Sequence, residues 1–316
     1  MSEIPTGNKP PRESIGTGRR RFLKLAGTST LASILAACGL RPPSTPDIGI
    51  GGSPGNTEKS KSPQNPRVLK EAKRLADNPS EMSNRLEAMS AEAKKRTVQI
   101  LFESGRKYDQ SISAEYTDNS GGTGVVLFED DNKAVILTAK HVVSPEKEED
   151  KFYWAKIILN KFHEGMKQVV IDDPYKWIDK PIMHPELDLA IVVINKDPDN
   201  PFSMTGGVEY PELTEINPGD NAQMLIYPLD VTTKYIPYDK VTIANPDPDL
   251  NSLTPESVFV DEFKTPSGIG GSGAGLWKEG ILGGVHVKGK LSGYLHVIRI
   301  SKVTDWLDGV RNLKGF

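Results

Sequence analysis

At 316 residues the chain exceeds one typical domain, so a body of around 200 residues with added segments is expected. Hydrophobic residues at 37% and charged residues at 26% exclude a disordered or membrane-spanning chain, and a net charge of −3 without a basic block leaves nucleic acid out as a partner. One cysteine excludes an internal disulfide, and five scattered histidines offer no cluster at metal-ligand spacing.

The chain opens on a targeting segment over residues 1–37. Gly18-Arg19-Arg20-Arg21-Phe22-Leu23-Lys24 resembles a twin-arginine export signal, with Arg19 and Arg20 as its pair, lacking only the usual Ser or Thr before them. The apolar stretch Leu25 to Ala37 is interrupted by Thr28, Ser29, Thr30 and Ser33 and is well short of the ~20 residues that cross a bilayer. It ends in Leu35-Ala36-Ala37-Cys38, which resembles the bacterial lipobox. The resemblance implies cleavage before Cys38 and a lipid on its thiol, hence an exported, extracytoplasmic protein lipid-anchored to a bacterial membrane, on the periplasmic side or at the cell surface. A short anchor helix, or an ordinary signal with a chance cysteine, is the other reading. Residues 38–66, rich in Pro, Gly, Ser and Lys, read as a flexible tether, because such a stretch buries too little apolar surface to order itself.

Residues 67–96 carry a helical pattern. One short helix over Val68 to Leu75 breaks at Asp77-Asn78-Pro79. A second starts with Ser80 as N-cap and sets Met82, Leu86, Met89 and Ala93 on one face. Its expected role is to pack on the β structure that follows. From Thr97 the period changes to short apolar runs separated by turn clusters: 97–102, 124–128, 134–137, 155–159, 169–171, 189–194, 222–227, 258–263, 281–287 and 294–300. Ten short strands over about 200 residues predict an all-β sandwich or pair of barrels. Val303, Trp306, Leu307 and Val310 predict a C-terminal helix.

Three motifs carry the chemistry. Thr138-Ala139-Lys140-His141 ends an apolar strand on a histidine, and an unperturbed imidazole titrates at ~6.5, which suits a general base. His184-Pro185-Glu186-Leu187-Asp188-Leu189-Ala190 sets a carboxylate at the head of another strand, where burial without a partner is costly and pairing with the His141 Nδ1–H would satisfy it. Gly268-Ile269-Gly270-Gly271-Ser272-Gly273-Ala274-Gly275 surrounds one serine with glycines, whose φ/ψ freedom lets backbone N–H groups converge on one point. Each motif alone has a bland counterpart: a core histidine, a turn aspartate, a glycine-rich loop.

In this order and spacing, 47 and then 84 residues apart, they resemble the trypsin-like, chymotrypsin-fold serine proteases over residues 97–312. Thr138-Ala139-Lys140-His141 is similar to the family's T-A-x-H, Asp188-Leu189-Ala190 to D-[ILV]-A, Gly270-Gly271-Ser272-Gly273 to G-[DN]-S-G, and Gly122-Thr123-Gly124-Val125 to the G-[ST]-G strand before the histidine strand. The resemblance implies two six-stranded antiparallel β-barrels, about 97–200 and 205–300, with a C-terminal helix at 301–312. It also implies a serine endopeptidase acting on protein or peptide substrates through His141, Asp188 and Ser272, with Gly270 and Ser272 N–H groups as the oxyanion hole and no cofactor. Gly271 stands where the family has Asp or Asn, so an activation route in which that side chain pairs with a new N-terminus is not expected.

The family's pocket for the residue before the cut maps to Pro266, Ser267 and His286. With no aspartate at 266, a Lys or Arg preference is unsupported. Ser267 and His286 resemble the hydroxyl and imidazole of glutamyl endopeptidases, which implies acidic residues before the cut; small apolar residues are the alternative. A protease-fold lipoprotein that binds a partner without cleaving it is the rival function.

Overall fold

A computed structural model of the chain describes residues 70, 73–75, 77–104, 107–109, 114–116, 119–143, 154–164, 167–172, 176, 178–229, 235–244, 257–261, 270–289 and 294–316. Arg19, Arg20, Cys38, Pro266 and Ser267 lie outside these residues, as do the signal and tether.

Helices α1 (Pro79–Ala88) and α2 (Ala91–Arg96) form the extension. Its first cap is Asn78 rather than Ser80: the Asn78 side chain accepts from the Glu81 N–H, and Pro79 takes the first helical position, where its missing N–H costs nothing. The expected single second helix is also split. Met89 turns extended, at φ −73° and ψ 148°, and the Ser90 hydroxyl caps α2 by accepting from Ala93 N–H at 3.2 Å. The break lets the two pieces serve different cores. Leu75 and Met82 are buried with the second sheet, Met89 and Ala93 with the first.

The β structure forms two sheets. In the first, β1 (Thr97–Ser104), β4 (Asn119–Glu129), β5 (Lys133–Thr138), β6 (Trp154–Lys161), β7 (Lys167–Asp172), β8 (Ile182–Met183) and β9 (Ala190–Asn195) pair in the order β7-β6-β1-β4-β5-β9-β8. The second is a closed barrel, β10-β11-β12-β15-β14-β13, made of Asn221–Ile226, Ile236–Ala244, Ser257–Asp261, Tyr294–Arg299, Ile281–Gly289 and Gly275–Lys278. A separate hairpin joins β2 (Lys107–Asp109) to β3 (Ala114–Tyr116). The fold is thus mainly β, as expected, with one six-stranded barrel; the other unit has seven strands because Ile182–Met183 adds β8 to the flank of β9. Strands covered on both faces, such as β5 and β9, read as unbroken apolar runs, whereas edge strand β7 buries only Ile171. The C-terminal helix αC (Thr304–Lys314) starts after a 3₁₀ turn at Ile300–Lys302, a few residues later than expected, and buries Leu307 and Val310.

The apolar core of the first sheet continues through Trp277, Leu282, Val285 and Ile298 of the barrel strands, so the two sheets share one buried seam. The segment between them is latched by Glu129, a fully buried carboxylate at the end of β4. It accepts from Met204 N–H at 2.9 Å and Thr205 N–H at 2.7 Å, and pairs with the buried Lys196 ammonium at 3.0 Å. Burial raises its pKa, but the Thr205 hydroxyl, these N–H groups and Lys196 hold it below the ordinary carboxylate value.

Candidate active site

The site begins with strand register. Thr138, the last residue of β5, lies opposite Ala190, the first of β9, so the chain leaving β5 and the chain entering β9 meet at one end of the sheet. Lys140–Val143 forms a single helical turn there. Lys140 N–H donates to the Asp188 carbonyl at 3.2 Å, His141 N–H to Asp188 Oδ1 at 2.9 Å, and His141 Nδ1 lies 2.7 Å from Asp188 Oδ2. An ionised carboxylate only accepts, so Nδ1 carries the proton and Nε2 is left without one. The imidazole is half exposed and the carboxylate one-third exposed. Burial pushes the Asp188 carboxyl up, but the hydrogen bond and charge of His141 outweigh it and leave the pKa below its ordinary value.

The loop that delivers Asp188 is itself held by a histidine the sequence reading passed over. His184 Nδ1 accepts from Glu186 N–H at 3.2 Å and Leu187 N–H at 3.0 Å, and its ring packs edge-on against Trp306 of αC. The imidazole fills the inside of the turn and fixes where the next carboxylate points. Its signal in the sequence is the same His184-Pro185-Glu186-Leu187-Asp188 run that carries the aspartate.

Ser272 sits in a glycine turn before β13 that is held against the first sheet. Thr123 N–H on β4 donates to the Ser272 carbonyl at 2.8 Å, and the Thr123 hydroxyl donates to the Gly270 carbonyl at 2.8 Å. Gly122 shows how tight this contact is: a Cβ there would lie 2.6 Å from the Ser272 carbonyl and 2.7 Å from Val142, the neighbour of His141. The backbone of Ser272 is therefore one residue's width from the helical turn that carries His141. From the barrel side, Gly273 N–H donates to the His286 carbonyl at 2.6 Å, and His286 Nδ1 donates to the Gly271 carbonyl at 2.9 Å. Gly270 at φ 99° and Gly273 at φ 90° take the left-handed backbone that glycine adopts without strain.

Of the expected pocket residues, only His286 is among the described ones. It is fully buried, and burial above all pushes its imidazole down to about 4, so the ring is neutral. Nδ1 carries its hydrogen, and Nε2 is a buried acceptor with no hydrogen-bond partner among the described residues. Among the described residues, no group of three His, Cys, Asp or Glu could hold a metal ion, and no helix is long and apolar enough to cross a membrane.

No protein-family model and no curated protein matches the chain. Solved structures do resemble it. A scabies mite inactivated protease paralogue covers 71% of this chain and 97% of its own at 15% identity, with a TM-score of 0.49. The inactive form of Rv3671c protease covers 73% and 95% at 16% identity and 0.44. Catalytically active tobacco etch virus protease complexed with product covers 67% and 76% at 10% identity and 0.42.

Proposed function

We propose that the protein is a serine endopeptidase whose nucleophile is Ser272. The Oγ of Ser272 attacks the scissile carbonyl while His141 Nε2 takes its proton, and the carbonyl oxygen becomes an oxyanion facing the N–H groups of Gly270 and Ser272. Collapse breaks the C–N bond, His141 returns the proton to the departing amine, and an acyl-serine remains. Water, deprotonated by the same nitrogen, then releases the acid and restores the serine. Asp188 holds the imidazole in the tautomer that leaves Nε2 free and offsets the charge it gains. The observation that carries this reading is the two-point grip of Asp188 on His141, ring and backbone N–H together, beside the tethered carbonyl of Ser272.

A fluorophosphonate probe tests it on the full chain: the wild type is labelled at Ser272 and Ser272→Ala is not. An unlabelled wild type sinks the protease reading and favours a protease-fold binding module.

The finer parts of the reading are also proposals. Cys38, in its lipobox-like setting, carries the lipid that holds the enzyme on the outer side of a bacterial membrane after export through Arg19 and Arg20; mass spectrometry of the membrane-extracted N-terminus tests this, and an unmodified Cys38 rejects it. The pocket takes acidic residues, supported by the Nε2 of His286, which has no partner among the described residues and gains a proton when a substrate carboxylate enters. A peptide panel cut without preference for Glu or Asp rejects that preference.

A further inference from the structure

Thr123 is fully buried and engages its N–H, its carbonyl and its hydroxyl around the nucleophile's loop. Its N–H donates to the Ser272 carbonyl, its carbonyl accepts from the Thr138 hydroxyl at 2.8 Å, and its own hydroxyl donates to the Gly270 carbonyl. The hydroxyl oxygen also accepts the Tyr227 N–H at 3.0 Å. Thr138 ends β5, three residues before His141, so one threonine touches both the strand that aims the base and the loop that holds the nucleophile.

The contacts continue outward from Tyr227, whose side chain is buried at the seam. The phenol oxygen lies 2.6 Å from His163 Nδ1, and His163 Nε2 lies 2.8 Å from the Lys94 carbonyl of α2. A carbonyl only accepts, so Nε2 carries the ring's hydrogen and the phenol donates to Nδ1. The donations therefore run outward from Tyr227 both ways: phenol to imidazole to the helical extension on one side, and its N–H to Thr123 to Gly270 on the other. Gly270 is packed against the same residue, since a Cβ there would lie 2.6 Å from the Tyr227 carbonyl.

We propose that Thr123 is the positioning residue for the oxyanion loop, and that the helical extension braces it through His163 and Tyr227. This rests on the reading of Ser272 as nucleophile. Gly271 has no side chain to anchor the loop from within, so its shape is imposed from outside. Thr123 fixes the Gly270 carbonyl, which orients the Gly270–Gly271 peptide, and fixes the Ser272 carbonyl two residues later. His286 holds the carbonyl between them. With its carbonyl on His286, the peptide between Gly271 and Ser272 turns the Ser272 N–H to the other side, where an oxyanion forms, while the Gly273 N–H is spent on the His286 carbonyl.

The test uses the full chain with Thr123→Val, Thr123→Ser and Tyr227→Phe beside the wild type. Two quantities are read: the second-order rate of fluorophosphonate labelling corrected for folded fraction, and hydrogen exchange in the peptide spanning Gly270 to Leu276. Losing one oxyanion donor costs 10²–10³ in related chemistry, and a donor that is only mis-aimed costs less, about 30-fold. Thr123→Val is expected to label about 30-fold more slowly and to exchange faster in that peptide, while exchange in β9 stays as in the wild type. Thr123→Ser, which keeps the hydroxyl, labels within about threefold of the wild type. Tyr227→Phe, which cuts the link to the extension but keeps the N–H, falls between them. Wild-type labelling and loop exchange in Thr123→Val would overturn the proposal, as would Thr123→Ser failing as badly as valine. If the wild type itself is not labelled, the nucleophile reading is lost, and loop exchange alone decides whether Thr123 orders the turn.

Discussion

The two halves of the candidate site are built by different means. His141 and Asp188 are delivered by adjacent strands of one sheet, and the register that places Thr138 opposite Ala190 also places their side chains within 2.7 Å. Ser272 has no strand beneath it. Its turn takes shape from donors on the first sheet, at Thr123, and on the barrel, at His286. A ladder tolerates a change at one side chain because the other rungs keep the geometry. A glycine turn held by donors from two sheets fails as a unit when one point is displaced. The first half is thus vulnerable in its chemistry and the second in its shape.

Asp188→Asn separates these vulnerabilities most sharply. The amide keeps the size of the carboxylate but favours the wrong imidazole tautomer, so turnover is expected to fall by about 10⁴. The melting temperature should move by only a few degrees, because the β5–β9 ladder does not depend on the charge. A labelling rate within tenfold of the wild type would mean that Asp188 is not the orienting group. Gly270→Ala attacks the other half. The added methyl meets the Tyr227 carbonyl and Leu229 while forcing an L-residue to φ 99°. Activity is expected to drop about 10²-fold, and stability by about 2 kcal/mol, since both backbone strain and displaced loop contacts contribute. Equal loss of activity without loss of stability would show that the turn is less tightly framed than its contacts imply.

The same contrast explains which features the sequence discloses. His141 and Asp188 stand at the ends of unbroken apolar runs, and runs of that kind announce strands whose two faces are covered. Ser272 is marked by its glycines. Thr123 carries no comparable mark: its hydroxyl acts on Gly270 across 147 residues and receives from Tyr227 across 104, distances only the folded chain closes. Thr123 was visible as part of a strand motif and its work was not. Strand β11 escaped notice because Ile236-Pro237-Tyr238-Asp239-Lys240 mixes a proline and charges into its first half, and β13 because Gly275–Lys278 emerges directly from the glycine turn. The split at Met89 was hidden because an extended residue inside an amphipathic pattern leaves the spacing of apolar positions unchanged, while redirecting Met82 and Met89 to different cores.

Acid provides the mildest way to sharpen the contrast, and its sign follows from which groups each half buries. His163 and His286 are both pushed down to about 4, in each case chiefly by burial. An unfolded histidine titrates near ~6.5, so between that value and 4 the unfolded chain binds protons that the folded one refuses, and stability falls as the pH falls. At pH 5.5 each ring should have removed about 1.4 kcal/mol relative to pH 7.5. Asp188 has the same sign in a lower window: its lowered pKa means its contribution is present above the ordinary carboxylate value and is lost only in stronger acid. Mild acid should therefore loosen the supports of the Ser272 turn, His286 directly and His163 through Tyr227, while the Asp188 carboxylate keeps its contribution. Denaturant unfolding at both pH values tests this. His163→Gln and His286→Gln should each remove about half of the pH-dependent loss whatever they do to stability at pH 7.5, because the titrating group is gone. If both variants keep the full loss between pH 7.5 and 5.5, the protons are being taken up elsewhere, and the acid sensitivity does not belong to the half of the site that holds Ser272.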